Sequence, residues 1–231
     1  MTENVNKMPA FPECYAAQVI GLLVSRMSAQ AVRLYSQLIG ELSRVEEILA
    51  NPHRCRGSSE LYQTVRSHSL AQEAFLALKR WEAQGIFAVG IGSNLYPSSL
   101  MRIHEPPPII FYRGSFDAQF DARPSVAVVG SRKGDAIGCD LARQFAAAVV
   151  RGGGCVISGL ALGIDAAAHR GALEEASDFP TVAVLGNGLD AVYPAAHQRL
   201  ADQILEAGGA VISQFEPGEK PYPSNFLNRN R

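Results

Sequence analysis

Apolar residues recur every three to four positions over the first third of the chain, and then the period changes. Ser28 precedes "AQAVRLYSQLIGEL", in which Val32, Leu34, Leu38 and Ile39 share one helical face. Ser43 and Glu46 have the spacing of a capping box ahead of "VEEILA", and Asn51-Pro52 stops that helix. Ser69 and Gln72 repeat the spacing at the head of a helix running through Leu70, Ala74, Leu78 and Trp81, which Gly85 terminates. The pattern predicts a small helical region over residues 1–84, read as a structural or partner-binding appendage.

From residue 85 onward strand signals take over. "IFAVGI" comes first, then "IIFY" behind the Pro106–Pro108 run. Three alternations of strand and helix follow. "SVAVVG" leads to a helix in which Ile137, Leu141, Phe145 and Val149 recur at helical spacing, "CVISG" leads to "IDAAAHRGALEEA", and "TVAVLG" leads to "AHQRLADQILEAGG". "AVISQF" is the next strand. Near-continuous apolar strands separated by amphipathic helices predict an α/β fold, a Rossmann-like, mostly parallel sheet with helices on both faces, over residues 85–231.

Composition narrows the classes of partner. The 231 residues are 47% hydrophobic, enough for a sizeable core, and 21 basic against 22 acidic side chains leave a net charge of -1. Any site for a polyanion must therefore be local. Cys14, Cys55, Cys139 and Cys155 form no C-x-x-C pair, which argues against zinc and disulfides and for a reducing compartment. The opening "MTENVNKMPAF" lacks the regions of a signal peptide, and no apolar run approaches the ~20 residues of a membrane span. A cytoplasmic protein without a membrane partner is expected.

The strand-end loops "GSRKGD", "SGLALG", "GNGLDAVYP" and "EPGEKPYPSNF" are the places for chemistry in such a sheet. Gly130, Gly134 and Gly138 do not make the G-x-G-x-x-G of a dinucleotide site. Two helix starts, the N–H groups of the glycine turns and the Arg132 fork could together hold a phosphate. Gly130 and Gly159 serve equally well as tight strand-to-helix turns. Ser131 lacks the G-x-S-x-G elbow of a nucleophile. Asp165 and His169 stand four apart on one helix, a spacing that suits a metal, a hydrogen-bonded pair or a helix-start carboxylate.

Read together, "GSR", "SGLALGIDAAAHRGAL", "TVAVLGNGLDAVYP" and "FLNRNR" resemble the DNA-processing protein A family, DprA or Smf, the recombination mediators of natural transformation. The upstream "LYPSSLMRIHEPPPIIFYRG" is similar as well, whereas residues 1–84 are similar only in kind, as a SAM or helix-hairpin type of region. Gln214, Leu227 and His197 depart from the family pattern. The resemblance implies a non-enzymatic protein without cofactors that binds single-stranded DNA and helps load the RecA recombinase onto it. Carried over by motif, its phosphate-facing residues are Gly130, Ser131 and Arg132, with Ser158, Gly159 and Gly163 in the next loop and Lys220, Phe226, Arg229 and Arg231 on the far side. A single strand needs cations along its backbone and an aromatic face for a base, which Phe226 between Lys220 and Arg229 would supply; a core aromatic is the alternative role.

The resemblance also implies a domain that continues past "NRNR". The chain is therefore expected to be truncated before the end of its Rossmann-like domain, with "AVISQF" left as an uncovered, self-associating strand. Such a shortening weakens the case for the RecA contact and for the homodimer of the family. Two other classes fit parts of the pattern: a phosphoribohydrolase of the lysine-decarboxylase-like (LOG) type, whose P-G-G-x-G-T motif does not occur, and a nicotinamide-dependent oxidoreductase, which the glycine spacing disfavours.

Overall fold

A computed structural model describes residues 11–42, 45–116 and 123–230. The chain divides into two compact units, Met1–Ile109 and Ile110–Arg231. Among the described residues no helix is long and apolar enough to cross a membrane.

The first unit contains α1 (Ala16–Ser25), α2 (Ala29–Leu42), α3 (Val45–Ala50), a 3-10 turn at Pro52–Gly57, α4 (Ser59–Arg66), α5 (His68–Glu82), the short strand β1 (Phe87–Gly90) and the single turn α6 (Ser98–Met101). Helix α1 is apolar on nearly every side and buries Val19, Ile20, Leu22, Leu23 and Val24, as a helix enclosed by its neighbours must. Strand β1 lies directly on it: a Cβ at Gly90 would stand 1.9 Å from the Ala17 carbonyl oxygen.

In α2 the buried stripe is Ala31, Tyr35, Leu38 and Ile39. The expected Val32 and Leu34 are only half-buried, because the Tyr35 ring takes the centre of the face and its hydroxyl donates to Ile91 O at 3.5 Å. Helix α5 starts two residues earlier than its spacing predicts. Its cap is Ser67, which receives the Leu70 N–H at 3.4 Å. A single extended residue joins α4 to α5, so Ser69 falls inside the first turn. Ser43 lies outside the described residues. Asn51-Pro52 and Gly85, at φ +73°, terminate α3 and α5 as expected.

The second unit contains β2 (Ile109–Gly114), β3 (Ser125–Ala127), α7 (Ala136–Arg151), β4 (Cys155–Ser158), α8 (Ile164–Leu173), β5 (Thr181–Val184), a 3-10 turn at Ala195–His197, α9 (Gln198–Glu206), β6 (Ala210–Ser213) and α10 (Pro223–Arg229). Its strands run in the order β2-β6-β5-β4-β3. The pairs from β3 to β6 are parallel, and β2 is antiparallel to β6 with Phe111 opposite Ser213. This is the expected Rossmann-like α/β sheet, mostly parallel.

Two details differ from the sequence pattern. The "AVISQF" strand, β6, is interior: it pairs on both sides and all four of its residues are buried. The end of the strand order is β3, whose three residues are exposed.

The second difference concerns α7. Its large apolar stripe faces outward, with Ile137, Leu141 and Phe145 exposed by 72%, 62% and 54%. The buried face is Ala142, Ala146, Ala147 and Val150, of which Ala146 and Val150 pack with Val156, Ala168 and Ala172 in one apolar cluster. Small residues let the two helix backbones approach so closely that a Cβ at Gly171 would stand 2.0 Å from Arg143 O. That interface excludes larger side chains and turns the stripe away from the core. Leu141→Lys and Phe145→Lys should accordingly change stability by no more than about 0.5 kcal/mol, while Gly171→Ala, which overpacks the interface, should cost roughly 1 to 3 kcal/mol. Urea unfolding of the three variants checks this, and a Gly171→Ala midpoint equal to wild type would refute it.

His169 is fully buried on α8, with Nδ1 2.8 Å from Thr181 Oγ1. Burial first, and the neighbouring His197 second, push its pKa down to about 3. A folded-state value below the unfolded one means that the unfolded chain binds the proton first. Stability should thus be greatest above about pH 6.5 and decline as pH falls from there toward about 3, with a slope of up to ~1.4 kcal/mol per pH unit from this group. Comparing His169→Gln with wild type between pH 6.5 and 5, where most carboxylates are still charged, isolates the effect. Parallel pH profiles for the two proteins would rule it out.

Candidate functional site

The parallel strands β3 to β6 all deliver their loops to one edge of the sheet, the usual location of ligand sites in such folds. The first two loops are packed against each other. Gly163, at φ +77°, lies so close to the turn after β3 that a Cβ there would stand 2.3 Å from Ser131 O, and the Ile164 N–H donates to the same oxygen at 3.2 Å. The Asp165 carboxylate closes the arrangement. Oδ1 accepts the Gly130 N–H at 3.3 Å and Oδ2 accepts the Gly159 N–H at 3.1 Å. Asp165 is 4% exposed. Asp165 and His169 are therefore not paired: the helix-start carboxylate holds two glycine turns, and the imidazole is engaged with Thr181.

These bonds redistribute the expected anion contacts. The N–H groups of Gly130 and Gly159 are already used by Asp165. The Ser158 hydroxyl is buried and donates to Val128 O at 2.6 Å. Helix α7 has its own carboxylate as well, because Asp135 accepts the Gly138 N–H at 2.7 Å. With an aspartate at each of the two helix starts, the partial positive charge there is largely answered from within the chain, and attraction for an anion falls to the cationic side chains.

Those side chains gather around one ring. Phe226, on α10, is half-buried and lies on the loop after β5, where a Cβ at Gly186 would come within 2.8 Å of its Cδ1. The Arg132 guanidinium carbon is 5.3 Å from the ring centroid and that of Arg229 is 6.0 Å. The two cations differ in freedom. Arg229 Nη1 donates to Gly159 O at 3.1 Å and to Val184 O at 2.6 Å, joining the ends of β4 and β5. Burial pushes its pKa below the ordinary arginine value; the Asp165 carboxylate opposes that shift and the Arg132 charge adds to it. Arg132 is exposed and makes no ion pair among the described residues. Lys220 is exposed, and its backbone carbonyl accepts the Asn225 Nδ2 and Tyr222 N groups at 3.2 and 2.9 Å; the structure ties its backbone, rather than its ammonium, to the cluster. Arg231 lies outside the described residues.

The part of the chain that carries these glycine turns, arginines and ring matches a known protein family. Residues 88–231 match the family model of the DNA recombination-mediator protein A. The chain belongs to that family. It is 40% identical over 138 residues to Protein Smf of Synechocystis, 39% identical over 139 residues to Protein Smf of Escherichia coli, and 39% identical over 154 residues to DNA processing protein DprA of Streptococcus pneumoniae. These matches take in 59%, 60% and 65% of this chain and 34%, 36% and 51% of the relatives, so the chain spans about a third to a half of their length. Among solved structures, DprA from Streptococcus pneumoniae superposes with a TM-score of 0.63 at 27% identity, covering 96% of this chain and 74% of that one. A structure of the Helicobacter pylori protein, described for its single-stranded DNA binding mode, has the same fold at 23% identity and a TM-score of 0.55, covering 63% of this chain and 62% of that one.

As a member of this family the chain presents a site that differs in detail from its motif. The family resemblance assigns Arg132, Phe226 and Arg229 to one site, and the structure has them together. It has Ser158, Gly159 and Gly163 in the scaffold below. Tyr193, 43% exposed and with its ring centroid 5.7 Å from that of Phe226, belongs to the same cluster and was not singled out by spacing. Its signal in the sequence is an aromatic residue at the end of a strand-end loop, "DAVYP", where a purely structural loop needs none. Asp165→Asn should test the clasp: an amide turns one acceptor into a donor facing a backbone N–H, which should lower stability by roughly 1 to 3 kcal/mol. An unchanged urea midpoint would show that the two glycine turns hold their positions without the carboxylate.

Proposed function

We propose that this chain binds single-stranded DNA along the strand-end edge of its sheet and serves as a recombination mediator. The observation that carries the reading is the pair of guanidiniums, Arg132 and Arg229, within about 6 Å of the half-exposed Phe226 ring. Single-strand sites combine cations that follow the backbone with aromatic faces for the bases, and neither feature alone distinguishes DNA from any other anion or apolar ligand. In a chain whose net charge is -1, a local cationic cluster is what such binding requires. Gly130 and Ser131 form the turn that presents Arg132, Gly163 packs against that turn from the next loop, Ser158 and Gly159 support it, and Lys220 and Arg231 are assigned to the same phosphate-binding set.

The reading extends to the remaining expectations. The protein acts by binding, without catalysis of its own, in the cytoplasm, and its partners are DNA, the RecA recombinase and a second copy of the chain. The family description supports the mediator role. Co-precipitation with purified RecA, with and without oligonucleotide, tests the recombinase contact.

Titration of a labelled oligonucleotide, followed by anisotropy over a range of salt, tests the site itself. Arg132→Ala should weaken binding and reduce the magnitude of the log-log salt slope by about 0.7, the loss of one phosphate contact. Phe226→Ala should cost roughly 1 to 3 kcal/mol of binding with the slope unchanged, because a base contact carries no counterion. Unaltered affinity and slope in Arg132→Ala, with circular dichroism showing the fold intact, would remove the arginine from the site.

A further inference from the structure

We infer that Tyr193 is a second base-stacking residue, and that with Phe226 it forms a two-ring platform selecting unpaired over paired strands. The inference rests on the nucleic-acid reading of the site. Tyr193 is 43% exposed at the end of the loop after β5, and its hydroxyl makes no hydrogen bond among the described residues. Its ring is tilted by 44° to Phe226 at a centroid separation of 5.7 Å.

The loop that carries it is braced. Asn187, buried beneath it, donates from Nδ2 to Gly188 O at 2.8 Å and to Ala191 O at 2.7 Å. Asp190 accepts the Gly218 N–H at 2.5 Å, and the Gly188 N–H donates to Glu219 O at 2.9 Å. A ring held in this way, with open surface, loses little further freedom when a ligand stacks on it.

The geometry of the pair sets its selectivity. Bases in a duplex lie nearly parallel at about 3.4 Å spacing along a strand, whereas faces tilted by 44° with centres 5.7 Å apart suit two bases that have come apart. Only a strand free to unstack can offer that. The Arg132 guanidinium, 5.3 Å from Phe226, stands beside the platform for the connecting phosphate.

Binding of a labelled oligothymidine and of a matched duplex to the full chain is the test, with three variants beside wild type. Tyr193→Ala should weaken single-strand binding roughly 5- to 150-fold, the range observed for loss of a base–aromatic stack, leave the salt slope unchanged and narrow the preference over duplex. Tyr193→Phe should bind within about twofold of wild type. Tyr193→Trp, made with Trp81→Phe so that the new indole is the only one, should lose emission when oligonucleotide is added, a signature that a merely supporting side chain would not give. Wild-type binding combined with unquenched emission from the Tyr193→Trp variant overturns the inference and leaves the wider reading standing, even if Tyr193→Ala binds less well through loss of stability. Tyr193→Ala binding as tightly as wild type overturns it in the same way. A wild-type chain that binds no oligonucleotide overturns both.

Discussion

The site depends on one carboxylate. Asp165 is almost entirely buried, and it remains so because each of its oxygens receives a backbone N–H, from Gly130 and from Gly159. A buried charge without such partners would be strongly disfavoured. With them, the turn after β3, the turn after β4 and the start of α8 are held as a unit. Glycine is required where these segments meet, since any side chain at Gly163 would run into Ser131 O. The position of Arg132, and through it the distance to Phe226, follows from that contact.

The same carboxylate shapes the electrostatics. A glycine-rich turn at a helix start is commonly a ready site for an anion, but here Asp135 and Asp165 occupy the two helix starts first. What remains is a division of labour between two arginines. Arg229 is partly desolvated and committed to the carbonyls of Gly159 and Val184, joining the strand ends. Arg132 is exposed beside the ring. One guanidinium secures the edge of the sheet, and the other stays available to a ligand. Within a chain of near-neutral total charge, these two guanidiniums form a local cationic cluster beside Phe226 at the strand-end edge.

Packing of α7 on α8 shows the limit of hydrophobic pattern as a guide to burial. The large residues Ile137, Leu141 and Phe145 satisfy helical periodicity as well as Ala142 and Ala146 do, yet the alanine face is the one that is buried. Close approach of two backbones gains dispersion contacts along both helices and leaves no room for side chains of larger volume. The outward stripe lies on the helix that follows β3, the strand at the end of the order.

Local signals in the sequence determined the elements: alternating strand and helix periods after residue 85, helix ends at Asn51-Pro52 and Gly85, and glycine turns behind each parallel strand. They also determined the family, because "GSR", "SGLALG" and "GNGLDAVYP" are contiguous blocks. Which serine caps α5 depended on a one-residue connection that spacing does not specify. Tertiary structure alone decided what Asp165 bonds to, since two aspartate–glycine contacts 35 and 6 residues apart leave no periodic trace. It also decided that β6 is interior, through its pairing with the sequence-distant β2, and that Tyr193 and Phe226 meet. Periodicity reports which residues share one element's face; which face is buried, and which loops touch, is set by the neighbours the sheet order brings alongside.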